Sequence, residues 1–117
     1  MGTILVLDDD RVILDLLHTV LTDAGHSTIL SVAPDAIPAD ARADLVLTDL
    51  VPLKAYRREA ALDWIASLRR RFPGAPVFVI TAHSLAANEP DKLGADAIIT
   101  KPFDVEALLA KIDEALS

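Results

Sequence analysis

Short apolar runs alternate with stretches of helical periodicity from one end of this chain to the other, and that alternation limits the folds open to it more than any single motif. Thr3-Ile4-Leu5-Val6-Leu7 is an unbroken run, as expected of a parallel strand covered on both faces, and Asp8-Asp9-Asp10 ends it. The period then changes. Val12, Ile13, Leu16, Leu17, Val20, Leu21 and Ala24 recur at helical spacing, with Asp10 placed to cap the start and Gly25 to close the end. Thr28-Ile29-Leu30-Ser31-Val32 predicts a second strand, whereas residues 33–43 hold Pro34 and Pro38 and allow only a short or broken helix. Leu45-Val46-Leu47-Thr48 predicts a third strand running into Asp49. After a loop containing Pro52, the residues Ala61, Ile65, Leu68 and Phe72 mark a third helix that Pro73-Gly74 stops. Val77–Ile80 ending at Thr81, and Ala97–Thr100 ending at Lys101, predict strands four and five. Between them residues 82–93 carry Pro90 and little amphipathic stripe, so the fourth helix is poorly written. Val105, Leu108, Leu109, Ile112 and Leu116 form a clear fifth, capped by Asp104. The expectation is an α/β chain, a single domain over residues 1–117 with a doubly wound five-stranded parallel sheet and short or irregular second and fourth helices.

Composition narrows the function. Eleven Lys and Arg face 18 Asp and Glu, a net charge of −7 and a pI near 4.7, so no sequence-wide basic surface is available for nucleic acid or anionic lipid. The absence of cysteine rules out disulfides, thiolate metal sites and thiol redox chemistry. No stretch free of Asp, Glu, Lys and Arg reaches the roughly 18 residues that a spanning helix needs. The acidic triplet follows the first apolar run with no basic segment before it, which argues against a signal peptide. A cytoplasmic location without membrane partners is expected.

In an open doubly wound sheet, ligands bind beyond the carboxyl ends of the strands, where the strand order reverses. Four predicted strand ends carry suitable groups: Asp8 and Asp9, Asp49, Thr81 and Lys101. If strands one and three are central neighbours, three carboxylates converge, and a hard cation such as Mg²⁺ is the simplest neutraliser. A carboxylate can also accept a phosphoryl group, a transfer that needs charge stabilisation on the phosphoryl oxygens more than covalent help. Lys101 offers a point charge and Thr81 a hydroxyl for that purpose. Taken singly, each residue has an ordinary reading: an Asp after a strand caps a helix, a Thr is a β-former, and a Lys before Pro102 is a solvated loop charge. Lys54, Arg57, Arg58 and Arg69-Arg70-Arg71 read as solvated faces, His18 and His26 as surface or core-edge residues, and Trp64 as core packing. His83, two residues after Thr81, is placed to face the site.

Ile4-Leu5-Val6-Leu7-Asp8-Asp9-Asp10, Asp44-Leu45-Val46-Leu47-Thr48-Asp49, Val79-Ile80-Thr81-Ala82 and Lys101-Pro102-Phe103, in this order, resemble the receiver domains of two-component response regulators over nearly the whole chain. The resemblance implies a flavodoxin-like sheet of strand order 2-1-3-4-5. It implies that Asp49 accepts a phosphoryl group from a histidine kinase or histidine phosphotransfer protein. Asp8, Asp9 and Asp49 would hold Mg²⁺ together with the backbone carbonyl of Val51, Lys101 would contact the phosphoryl group, and Thr81 would be the switch hydroxyl, with Ala82 leaving room. Three departures stand out. Pro52 lies three residues beyond Asp49 where the family usually places a proline four beyond; the loop Leu53 to Ala60 is longer and carries Lys54, Tyr56, Arg57 and Arg58; and Ile98 takes the place of the aromatic switch residue. The residues that influence hydrolysis in the family fall on Val51 and His83, and the apolar Val predicts slow loss of phosphate.

Three readings follow. The first is a phosphoacceptor switch that is not an enzyme and acts through protein–protein contact. The second is a binding module of receiver fold that works without phosphorylation, motivated by Ile98 and Pro52. The third, a small haloacid dehalogenase-type phosphatase, takes Asp8-Asp9-Asp10 as an Asp-x-Asp motif. It leaves Asp49 unexplained and has only Asp104, Glu106, Asp113 and Glu114 as acidic residues after Lys101.

Overall fold

Asp10 starts the first helix as its position predicts. Its backbone is extended (φ −89°, ψ 109°) and its side chain accepts a hydrogen bond from Val12 N at 2.9 Å, satisfying one of the donors a helix start leaves open. In the computed structural model, which describes residues 2–50, 57–82, 86, 88–89 and 91–117, the strands are β1 (Thr3–Leu7), β2 (Ser27–Ser31), β3 (Leu45–Thr48), β4 (Val77–Thr81) and β5 (Ala97–Thr100). The α-helices among the described residues are α1 (Arg11–Asp23), α2 (Arg58–Arg71) and α3 (Val105–Leu116). All strand pairs are parallel and the sheet order is β2-β1-β3-β4-β5, the flavodoxin-like arrangement expected.

The apolar strands bury alternate residues on opposite faces. Ile4 and Val6 join Leu45, Leu47, Phe78 and Ile80 beneath Leu14, Leu17 and Leu21 of α1 and Leu108 and Ile112 of α3. Leu5 and Leu7 join Val46, Val77 and Val79 beneath Ala61, Ile65 and Leu68 of α2. The sheet therefore lies between α1 and α3 on one face and α2 on the other. Gly25 ends α1 with φ +95°, a conformation that glycine adopts without a Cβ penalty. Gly25 N donates to Thr22 O and His26 N to Leu21 O, the paired bonds of a Schellman cap.

Several boundaries differ from expectation. β2 begins one residue earlier, at Ser27. The predicted second helix reduces to a 3₁₀ turn at Pro34–Ala36: Pro34 suits its first position, but Pro38 disfavours helical backbone at the preceding Ile37, which is extended at ψ 125°. α2 starts at Arg58, so the loop expected to run to Ala60 is shorter at its end; this first turn is polar and gives no hydrophobic period to detect. Of the region expected to hold a fourth helix, the described residues show Ala86 buried in the core and a 3₁₀ turn at Lys92–Gly94; residues 83–85, 87 and 90 lie outside the described set. Val12 and Leu16, counted in the apolar stripe of α1, are 74% and 40% exposed. His26 is buried rather than at the edge: its Nδ1 accepts from Gly2 N at 3.2 Å, and its Nε2 faces Asp113 Oδ1 of α3 at 3.5 Å.

Candidate functional site

Strand register alone brings the acidic residues together. Leu7 pairs with Thr48 across β1 and β3, so the next residue of each strand, Asp8 and Asp49, emerges at the same edge. Asp49 N donates to Leu7 O at 2.8 Å and Asp8 N to Ser31 O at 3.1 Å, which extends both strands into the site. Thr81 pairs with Thr100 across β4 and β5, and Lys101 N donates to Thr81 O at 2.9 Å. Lys101 thus enters from the adjacent strand end, and the Lys101–Pro102 peptide is cis.

Lys101 Nζ donates to Asp8 Oδ2 at 2.9 Å and to Asp49 Oδ2 at 3.2 Å, bridging two carboxylates. Asp8 Oδ1 accepts from Asp10 N at 2.9 Å, and Asp49 Oδ1 accepts from Leu50 N at 2.8 Å. Asp8 is buried, Asp49 partly buried and Asp9 exposed, and one oxygen of each lies within 4.8 Å of the others. Burial raises the Asp8 pKa from its usual value, aided by the nearby charge of Asp49; the bonds from Asp10 N and Lys101 oppose the rise without cancelling it. Burial is also the largest effect on Lys101 and pulls its pKa down. The hydrogen bond to Asp8 and the charges of Asp49 and Asp8 together outweigh it, so the net shift is upward and the ammonium persists. Among the described residues the Lys101 ammonium bonds two of the three carboxylates, Asp8 and Asp49, and the three acidic groups offer hard oxygens, so the residues fit a Mg²⁺ ion.

Of the remaining expected positions, Thr81 is fully buried at the end of β4 and Ala82 is exposed beside it. Ile98 is partly buried against the core beneath α2. Val51, Pro52, Lys54, Tyr56 and His83 lie outside the described residues. Three of the arginines read as solvated faces make specific bonds: Arg58 pairs with Glu89 and Asp91, Arg69 with Asp96 at 2.9 Å, and Arg71 donates to Pro38 O at 2.7 Å. The Arg58 guanidinium, followed by the Leu93 N–H, lowers the Asp91 pKa to about 2. Asp104 caps α3, where its side chain accepts from Glu106 N and Ala107 N, and the later acidic residues Glu106, Asp113 and Glu114 lie on that helix. Two residues at the site carry no sequence signal. Thr48 Oγ1, buried beside Asp49, donates to Asp49 O at 2.6 Å and accepts from Trp64 Nε1 of α2 at 3.1 Å.

The arrangement has known counterparts. The chain is 35% identical over 120 residues to the transcriptional regulatory protein YvrH of Bacillus subtilis (strain 168), covering 95% of this chain and 47% of YvrH. It spans about a quarter to about a half of the length of the curated relatives it matches. A CheY-like response regulator receiver domain protein from Methanospirillum hungatei JF-1 superposes with a TM-score of 0.78 at 25% identity, covering 99% of this chain and 94% of that one. A response regulator from Burkholderia pseudomallei, solved with a phosphorylated aspartic acid, calcium ion and citrate, gives 0.77 at 26% identity over 100% of this chain and 67% of that one. No helix among the described residues is long and apolar enough to cross a membrane. The model of the response regulator receiver domain matches residues 4–113, nearly the whole doubly wound sheet with its acidic edge, and the chain belongs to that family of two-component signalling proteins.

Proposed function

We propose that this chain is a phosphoacceptor switch in which Asp49 takes a phosphoryl group from a phosphohistidine donor. The observation that carries the reading is the meeting of Asp8, Asp9, Asp49 and Lys101 at one edge of the sheet. In the transfer a carboxylate oxygen of Asp49 bonds to phosphorus as the P–N bond of the donor breaks; the departing imidazole nitrogen keeps the electron pair and takes up a proton. Asp8, Asp9 and Asp49, with the Val51 carbonyl as the expected further ligand, would hold Mg²⁺, which would supply positive charge against the Asp49 carboxylate and the incoming group. Lys101 keeps an ammonium beside Asp49 for a phosphoryl oxygen, and Thr81 is the expected switch hydroxyl. One phosphoryl group is taken up per switching event, so the chain is not an enzyme that turns over a substrate. Output is through protein–protein contact, and with a charge of −7 these residues are assigned no nucleic-acid contact.

The donor is a histidine kinase or histidine phosphotransfer protein. A recess of about 450 Å³ lined by Ile13, Leu16, Ala82, Lys101, Pro102 and Phe103 opens beside the acceptor; Leu16 in its lining is exposed, as is Val12 one turn earlier on α1, an apolar surface that supports a protein donor. The Burkholderia relative's phosphorylated aspartic acid and calcium ion support the same chemistry. The test is intact mass after incubation with acetyl phosphate and Mg²⁺. We expect a phosphoryl increment on the native chain, lost on chelation and absent from Asp49→Asn; labelling of that variant overturns the assignment. Ile98 at the aromatic switch position favours a second reading, a binding module indifferent to phosphorylation, whose partner would bind equally with and without phosphodonor.

A further inference from the structure

We infer that Trp64, acting through Thr48, is a positioning residue for the Asp49 carboxylate; the inference rests on the reading of Asp49 as phosphoacceptor. An indole N–H only donates, and a threonine hydroxyl has one proton. Because Thr48 Oγ1 accepts from Trp64 Nε1 at 3.1 Å, its own proton is left for Asp49 O at 2.6 Å, and the direction of the chain is fixed. Thr48 is 1% exposed, so water does not compete for either bond. The peptide unit that joins Asp49 to Leu50 carries both ends of the device. Its carbonyl oxygen is the atom held by Thr48, and its N–H, fixed in the same plane, donates to Asp49 Oδ1 at 2.8 Å. Turning that peptide to release the carbonyl also swings the N–H away from the carboxylate. Trp64, packed against the core beneath α2, therefore links this helix to the orientation of the acceptor oxygens without touching them.

A purely structural Trp64–Thr48 bond would affect stability and leave the acceptor's reactivity alone. The measurement is the rate of phosphoryl uptake from acetyl phosphate at saturating Mg²⁺, with the urea midpoint recorded for the same samples. Trp64→Phe keeps most of the ring and loses the N–H; Thr48→Val keeps the branched shape and loses the hydroxyl; Thr48→Ser keeps the hydroxyl. Misplacing a reacting group by a fraction of an ångström slows transfer severely, so Trp64→Phe and Thr48→Val are each expected to lower the rate about tenfold. Thr48→Ser is expected to restore it, and the double variant is expected to be no slower than Thr48→Val alone, because both act on one path. If Thr48→Val fails to fold, Trp64→Phe and Thr48→Ser carry the test. Rates within about twofold of the native chain, whatever the urea midpoint, or losses that multiply in the double variant, overturn the inference. Absence of uptake by the native chain overturns the reading of Asp49 itself, while native uptake with unaffected variants overturns only the role of Trp64.

Discussion

Asp8 is held where its charge is unwelcome. Burial raises its pKa above the ordinary 3.8, so the fold favours the protonated form, and the stability this gives is fully present below about pH 3.8 and lost as the pH rises through the raised value. At neutral pH the ionised group costs stability, partly offset by Lys101. Asp8→Asn keeps an oxygen for Asp10 N and removes the charge; in EDTA at pH 7 its urea midpoint is expected above that of the native chain, with the advantage shrinking as the pH falls towards 3. A midpoint at or below the native value at pH 7 contradicts this account. The residues of this cluster were legible in the sequence because Asp8, Asp49 and Lys101 each directly follow a strand, with Asp9 next after Asp8, and parallel register places such strand ends side by side. Trp64 and Thr48 were not legible. A Thr ending a strand and a Trp on an apolar stripe are each explained without a partner, and their meeting depends on how α2 is rotated against the sheet.

The helices separate local from tertiary information. α3 was readable at both ends because its cap and its stripe are written in adjacent residues, and the two contribute unequally. Asp104→Ala removes an acceptor for Glu106 N and Ala107 N and is expected to cost about 1 kcal/mol. Leu108→Ala, which empties a fully buried position on the same helix, is expected to cost about 2–5 kcal/mol. Urea denaturation of both variants checks the order, and a larger loss for Asp104→Ala would reverse it. The start of α2 escaped sequence reasoning because Arg58 and Glu59 show no period, and Arg58 is tied instead by its ion pairs to Glu89 and Asp91, more than thirty residues away. Exposure of Val12 was equally hidden, since helical spacing does not say how far along a stripe the sheet reaches.

At the scale of the whole molecule, a cation that binds only the folded chain should stabilise all of it. Mg²⁺ at a hundredfold excess over its dissociation constant is expected to add about 2.7 kcal/mol to unfolding, read as a shift in urea midpoint, and Asp9→Ala should remove most of that gain. Asp9 is exposed, so its loss should leave the metal-free midpoint unchanged. An equal Mg²⁺ effect in both chains would take Asp9 out of the ligand set. The alternation of strand and helix made the overall arrangement legible, because parallel neighbours require crossovers and crossovers supply the covering helices. The same connectivity governs how the molecule is made. β1 leaves the ribosome before every other strand of the sheet, yet it sits between β2 and β3, and its Ile4 and Val6 are roofed in part by Leu108 and Ile112 of α3. α1 and α2 can cover much of the first strand early, but its roof is complete only once α3 has been made, about a hundred residues later, so the opening and closing segments of this sequence finish the core together.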